Sequence, residues 1–396
     1  MKMKNSKLFL LILLAIVIVG GLLFFVFDYW PKMTEAKILR GKKNKIEQFL
    51  KVRREQQQIL TEDSDIFGSD DLAKILFIGI DSRVGVNNGH CDAIQFLEIN
   101  RRDKTVKITA VPRGTYVPLP QGNYLPTDYY VSNSCGLVSL EYGVEQIEKI
   151  LGAKADYLVV VGFSETMGIL REMKFPTVST MRWLRNRQSY AIGEPQRARN
   201  HSNFIKYVLT NYLAKSYDKL SWPWQYLIYR IVQTDLTFGQ AQKLLQEVVG
   251  FDLQASQQNV ILQMKPTFAV EDIIYNPDNV DDYLVRMIEP IKKNLSKEDY
   301  SDLDIQVIQE NLQKLTDEKK KDPEFLRWAL ANNLWLQIED AEKREIAHYN
   351  IISGYLNIER ESENKKQILA DYIMEMENRQ LTDYIEKGKQ LLEKEL

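Results

Sequence analysis

The chain has 396 residues, 44% of them hydrophobic and 27% charged, with a net charge of −2. Such a composition belongs to a globular body rather than a disordered chain. The near-neutral balance excludes a general nucleic-acid binder, which needs a broad basic face. Any anion site is therefore local, and the length leaves room for two domains with accessories.

After a short tail, residues 1–7, Leu8 to Phe27 reads LFLLILLAIVIVGGLLFFVF, twenty residues without a charge. As a helix this segment spans about 30 Å, the thickness of a bilayer's hydrocarbon core. A cleaved signal peptide has a shorter apolar run and a small-residue exit. Here the run ends in Phe24, Phe25, Phe27, Tyr29 and Trp30, an interfacial aromatic cluster that predicts a transmembrane anchor over 8–30. Lys2, Lys4 and Lys7 precede the span, but six more basic residues from Lys32 to Lys45 follow it, so charge alone does not orient the chain. Residues 31–70 read as a solvated stalk helix, broken by the TEDSD cluster at Thr61–Asp65 and by Gly68.

From residue 71 to about 296 the pattern is α/β. Lys74–Ile80 is a continuous apolar run, as expected for a strand covered on both faces. Ala93–Ile99 and Thr105–Val111 flank Asn100–Lys104, a hairpin signature. Leu140–Leu151 has helical period and stops at Gly152. Tyr157–Val161 and Val260–Met264 read as further strands; Glu165–Glu172, Arg199–Tyr217 and Phe238–Val249 read as helices. The expectation is a central mixed β-sheet covered by helices, an α-β-α sandwich. Residues 297–396 are predicted to be all-helical, with helices at Glu324–Gln337, Asp340–Leu356, Asn364–Glu377 and Leu381–Leu392. Paired helices of this length are similar to tetratricopeptide repeats, though the repeat consensus is poorly met. Such a module either docks a partner or caps the core.

Candidate chemistry collects at strand ends, where α/β folds place ligands: Asp81-Ser82-Arg83, His90-Cys91-Asp92, and Pro112-Arg113-Gly114-Thr115-Tyr116. A fourth cluster holds Arg182, Arg185, Arg187, Arg197 and Arg199, five arginines within eighteen residues. Asp81 and Asp92 could share a hard cation such as Mg²⁺, and converging guanidinium forks suit a phosphate or pyrophosphate. The bland alternatives are capping pairs and a solvated basic loop. With only three histidines, His90, His201 and His348, a His-based metal site is not expected. Cys91 and Cys135, the only cysteines, could pair in an oxidising compartment or be unrelated thiols.

At these clusters the sequence resembles the LytR-CpsA-Psr family of cell-envelope proteins, from about Ala73 to Ser296. Gly79-Ile80-Asp81-Ser82-Arg83 fits the family's strand followed by Asp-x-Arg. His90-Cys91-Asp92-Ala93 stands for its Arg-Ser-Asp-Thr, and Pro112–Val117 for its Pro-Arg-Asp-Thr-Tyr-Val. Asn133 matches the last residue of its Lys-Ile-Asn. Arg185-Asn186-Arg187 and then Arg197 match its arginine motifs, and Val232–Leu236 resembles a late helix entry. The resemblance implies an extracytoplasmic protein that transfers a glycopolymer from a polyprenyl-pyrophosphate carrier to peptidoglycan. It implies pyrophosphate binding by Arg83, Arg113, Arg185, Arg187, Arg197 and Asn133, Mg²⁺ at Asp81 and Asp92, and catalysis through Arg113 and Asp92. It also places Cys91 and Cys135 beside one cleft, and so a disulfide across the site mouth is expected. The departures are His90 and Asn200 in place of arginines, Gly114 in place of an aspartate, a missing lysine before Asn133, and a shortened segment between Phe175 and Arg185. They open a second expectation: a catalytically impaired envelope scaffold that binds the lipid pyrophosphate or glycan and recruits protein partners through its C-terminal helices.

Overall fold

The computed structural model describes residues 45–61, 65–81, 89–186, 193–213, 222–288 and 305–395. The predicted anchor over 8–30, the first part of the stalk, Arg83 and Arg187 lie outside the described residues. Among the described residues, no helix is long and apolar enough to cross a membrane.

The chain order is α1 (Lys45–Thr61), β1 (Leu72–Asp81), β2 (His90–Asn100), β3 (Thr105–Ala110), α2 (Val131–Leu137), α3 (Leu140–Leu151), β4 (Tyr157–Gly162), α4 (Phe163–Glu172), α5 (Thr177–Arg185) and α6 (Glu194–Tyr207). There follow α7 (Trp222–Ile231), β5 (Gln233–Thr234), α8 (Phe238–Val249), β6 (Val260–Met264) and α9 (Val280–Ile288). The C-terminal helices are α10 (Ile305–Lys319), α11 (Pro323–Ala331), α12 (Ala341–Leu356), α13 (Ser362–Asn378) and α14 (Thr382–Glu395).

The strands form one mixed sheet in the order β5-β4-β1-β2-β3-β6. β1 runs parallel to β4, and β3 parallel to β6, while β2 is antiparallel to both of its neighbours. The carboxyl ends of β1, β3, β4 and β6 and the start of β2 therefore share one sheet edge. Alternation along β1 sends Leu76, Ile78 and Ile80 into a core with Val144, Ile147 and Leu151 of α3. On the opposite face Ile75, Ile108 and Val260 meet Val248 of α8, with Ile205 of α6 beside them. The expected three-layer arrangement is thus present.

α3 matches its expected bounds because both ends are written locally. The Ser139 side chain accepts from Tyr142 N, and Gly152 closes the helix with φ 66°. Where α3 passes α2, a Cβ on Gly143 would lie 2.3 Å from Cys135 Sγ, so only glycine permits this approach.

Three elements differ from expectation. The stalk helix is not freely solvated over its described part: Leu50 of α1 is buried in the core. Arg53 of α1 bonds the buried Asp235 at 2.7 Å, and Arg54 donates to Thr234 O at 2.5 Å. The long helix expected over Arg199–Tyr217 begins earlier, at Glu194, and gives way to a π-helical turn at Val208–Tyr212. The helix expected over Glu324–Gln337 is broken at Asn333, φ 45°, and resumes as a 3₁₀ turn at Leu334–Gln337.

The C-terminal helices build their own core from Phe325, Leu334, Trp335, Ile351, Leu369 and Tyr372, among others. They pack on the α/β body through α4. Asn333 donates to Glu165 at 2.8 Å, Gln337 donates to the Ser164 hydroxyl at 2.7 Å, and Arg171 pairs with Glu339 at 2.7 Å.

Candidate functional site

The site edge is made by backbone devices. A Cβ on Gly89 would fall 2.1 Å from Ile80 Cγ2 and 2.9 Å from Asp81 O, so a glycine is needed where the chain returns beside Asp81 to start β2. Immediately afterwards the ladder slips: Gly79 faces Ala93, but Ile80 faces Cys91, leaving Asp92 as the extra residue of a β-bulge. Ile94 and Phe96 belong to the core on the α3 side. Unbroken alternation would send residue 92 into that core too. The bulge puts Cys91 there instead and turns Asp92 out, the re-aiming that bulges provide beside functional sites.

Cys91 and Cys135 are joined by a disulfide. Both are core residues, 0% and 2% exposed, so the bridge lies beneath the site rather than across its mouth. It ties the start of β2 to α2.

Asp92 is met from two elements. Arg113, in the turn after β3, donates to its carboxylate, and Arg197 of α6 donates to its backbone oxygen at 3.4 Å. Arg197 is 7% exposed and also pairs with Glu194 at 3.0 Å. A second pair stands at the end of β1, where Arg185 of α5 lies 3.9 Å from Asp81. Its guanidinium also lies over the Phe163 ring, 5.1 Å from the centroid. Asn133 is on the first turn of α2, and its neighbour Ser132 N donates to Arg113 O at 3.1 Å.

The two arginine-bearing helices are held from behind. Trp183 and Met181 of α5 are buried, with Trp183 edge-on to Tyr275 at 5.2 Å and Thr180 bonded to the Tyr275 hydroxyl at 2.6 Å. α6 is fixed by Gln95, fully buried on β2, which donates to Ala198 O at 3.0 Å and accepts from Ser202 at 2.6 Å. His201 Nε2–H donates to Leu184 O at 2.8 Å, linking α6 to α5. Burial, reinforced by the nearby Arg197 charge, pushes its pKa down to about 4, so this histidine is neutral and adds no charge to the site.

The arrangement thus brings together Asp92, Arg113 and Arg197, pairs Asp81 with Arg185, and sets Asn133 beside Arg113. Arg199 instead turns to Asp272 at 2.6 Å, away from this group. The remaining departures have clear settings. A Cβ at Gly114 meets nothing within 4 Å, so the missing carboxylate leaves open space next to Arg113. Asn200 is fully buried and accepts from Gln196 at 3.0 Å. Two participants escaped the sequence reading. Glu194 was detectable, because it stands three residues before Arg197 in the first turn of a helix. Phe163 was not, because its role depends on α5 arriving over it. The carboxylates form no group of three or more metal-ligating side chains among the described residues.

The sequence profile of the LytR_cpsA_psr family matches residues 34–170. Over that stretch, about a third of its length, the chain is similar to the LytR-CpsA-Psr family. It is 29% identical over 107 residues to the polyisoprenyl-teichoic acid–peptidoglycan teichoic acid transferase TagT of Bacillus subtilis, a match covering 26% of this chain and 32% of that protein. It is 21% identical over 133 residues to the corresponding transferase TagU of Bacillus licheniformis, covering 34% of this chain and 42% of that one. The matches therefore span about a third to two-fifths of these relatives' own length. Among solved structures, B. subtilis TagV is 16% identical with a TM-score of 0.39, covering 56% of this chain and 97% of that one. TagT bound to LI-WTA is 15% identical with a TM-score of 0.38, covering 58% of this chain and 93% of that one. The LytR-CpsA-Psr match includes Asp81, Asp92, Arg113 and Asn133 and ends before the arginines of α5 and α6.

Proposed function

We propose that this is a membrane-anchored, extracytoplasmic transferase that moves a glycopolymer from a polyprenyl-pyrophosphate carrier to peptidoglycan in cell-wall biogenesis. The observation that carries the reading is the half-open arginine–carboxylate edge. Arg113 and Asp92 keep 24% and 20% of their side-chain surface exposed, and Arg185 and Asp81 keep 21% and 13%. Each arginine can exchange its carboxylate partner for a phosphate oxygen, which a guanidinium binds by the same fork. The names of the TagT and TagU relatives support the same class of donor and acceptor.

In the reaction the acceptor hydroxyl oxygen forms a bond to the polymer-side phosphorus. The bridging P–O bond of the pyrophosphate breaks, and the lipid monophosphate leaves. Arg113, Arg185 and Arg197 offset the negative charge on the phosphate oxygens, and Arg83 and Arg187 are assigned the same task. Asn133 donates to a phosphate oxygen. Asp92, released as Arg113 turns to the phosphate, receives the hydroxyl proton. Asp81 and Asp92, two carboxylates at adjoining strand ends, fit a hard cation that draws its other ligands from phosphate and water; they would hold Mg²⁺, which supplies further charge neutralisation there.

The test is turnover of a polyprenyl-pyrophosphate-linked glycan on isolated peptidoglycan by the full chain, with Arg113→Ala as control. Loss of at least a hundredfold in the variant is expected if Arg113 acts in the transition state. Binding without turnover in the native protein would favour the second reading, the impaired scaffold. The empty space at Gly114 and the burial of Asn200 in an internal hydrogen bond favour that reading.

A further inference from the structure

Between Arg113 and α3 the chain makes a long strap that exposes large apolar and aromatic side chains. Tyr116 and Leu125 are 69% and 68% exposed, and Tyr130 and Leu137 are 39% and 47% exposed. These side chains are not loosely hung. Tyr116 and Tyr130 face each other across an antiparallel bridge, flanked by hydrogen bonds from Val117 N to Tyr129 O at 2.9 Å and from Val131 N to Thr115 O at 2.8 Å. The Tyr116 and Tyr129 rings are nearly parallel, 11° apart in plane with centroids separated by 5.8 Å. Tyr124 stands edge-on to Tyr129 at 6.0 Å. Pro118, Pro120 and Pro126 stiffen the backbone between them. The result is a preformed aromatic shelf, with little side-chain entropy left to lose on binding.

Two features say what would sit on it. The first is charge. From Gly114 to Leu140 the only ionisable acid or base besides tyrosine and cysteine is Asp128. Its carboxylate is already used, accepting from Leu125 N at 2.7 Å. Gln121 and Asn123, both exposed, supply neutral donors and acceptors. A phosphate-rich polymer would look for cations and find none between Gly114 and Leu140. A sugar chain, which presents C–H faces to aromatic rings and hydroxyls to amides, matches it. The second is continuity. Thr115 N donates to Pro112 O at 3.0 Å and Ser132 N donates to Arg113 O at 3.1 Å, so the shelf and Arg113 share one backbone frame.

We infer that Tyr116 and Tyr130 form a carbohydrate-stacking subsite that receives the glycan strand of the acceptor, next to Arg113. The inference rests on the transferase reading for the identity of the acceptor, but the shelf itself is independent of it. It divides the substrates: the donor's pyrophosphate lies on the arginines, and the neutral acceptor sugars lie on the tyrosines.

The experiment uses the full chain in detergent micelles and two probes, a β-1,4-linked N-acetylglucosamine hexasaccharide and farnesyl pyrophosphate. Binding is read by calorimetry for the native protein, Tyr116→Ala and Tyr116→Phe. The expected result is hexasaccharide binding weakened about tenfold or more in Tyr116→Ala and restored in Tyr116→Phe, since one stacked ring contributes on the order of a factor of ten. Pyrophosphate binding should be the same in all three. Equal hexasaccharide binding by native protein and Tyr116→Ala would overturn the shelf. A native protein that binds the pyrophosphate but not the hexasaccharide would overturn it while leaving the transferase reading intact. Hexasaccharide binding that needs Tyr116, with no pyrophosphate binding, would uphold the shelf and remove the transferase reading. A shelf that prefers a glycerol-phosphate oligomer to the hexasaccharide would also overturn the inference.

Discussion

At the sheet edge, Arg113 and Asp92 keep 24% and 20% of their side-chain surface in contact with solvent. In the C-terminal module an arginine and a carboxylate again pair, but with only 9% and 6% exposed, Arg344 on Glu345. Glu345 is also held by Arg379 at 3.0 Å. The module closes over its charges with rings: His348 stacks on Trp335 at 3.9 Å and meets Tyr372 edge-on at 4.9 Å. Burial alone would raise the Glu345 carboxyl, but the neighbouring His348, 3.9 Å away, and the Arg379 charge outweigh it and hold the pKa below the ordinary range. At the sheet edge nothing comparable closes over Arg113 among the described residues. Residue identity does not separate a brace from a ligand site; exposure does, because only a half-open pair can change partners without stranding a charge.

That contrast can be broken most severely in the module. Arg379→Ala leaves Glu345 and Glu172 without a shared cation and should lower unfolding free energy by about 3–5 kcal/mol, read as a shift in the urea midpoint. A loss below about 1 kcal/mol would put the module's network in the same class as a surface pair. Next in size is the bridge beneath the site. Cys91 and Cys135 are separated by 44 positions, and opening a loop of that length by the paired change to alanine should destabilise the chain by about 4 kcal/mol on chain-entropy grounds. The effect should appear in thermal melts with and without reductant, and only the native protein should respond to the reductant.

The third effect is a pH dependence at the joint between module and body. Burial pushes the Glu165 pKa up to about 7, only partly countered by the Asn333 hydrogen bond. An acid with a raised folded-state pKa binds more protons folded than unfolded. Its contribution therefore falls as pH rises from its ordinary value to about 7 and is constant above that. The fall is on the order of 3 kcal/mol. Glu165→Gln, which keeps an oxygen for Asn333, should flatten this slope; denaturation at pH 5 and pH 8 checks it. An unchanged slope would place the pH sensitivity elsewhere.

Much of the architecture is legible in the residues because it is written locally. Ser139 and Gly152 delimit α3, Thr237 and Gln240 form the capping box that starts α8, and the continuous apolar run of β1 announces a strand covered on both faces. Segments decided by distant partners are not legible. α5 reads as part of a basic cluster because the residue that anchors it, Tyr275, bonds Thr180 across 95 positions. β5 is two residues long and is defined by its pairing with β4. The break at Asn333 follows from docking on α4, where its side chain serves Glu165. Within the site, the residue types at Asp81, Asp92 and Arg113 are visible from their places at strand ends. The bulge that turns Asp92 outward is visible only in the register, and the helix arrangement that carries Arg185 to Asp81 only in the packing.

The most direct measurement of the central claim is a paired one on Arg113→Ala in the full chain: urea stability and affinity for farnesyl pyrophosphate. The expected stability change is below about 1 kcal/mol, as for other partly exposed pairs. Affinity should fall by about ten- to a hundredfold, equivalent to one or two charged hydrogen bonds. Unchanged affinity together with a stability loss of several kcal/mol would contradict the claim, and would make the Arg113–Asp92 pair a brace like the one in the C-terminal module.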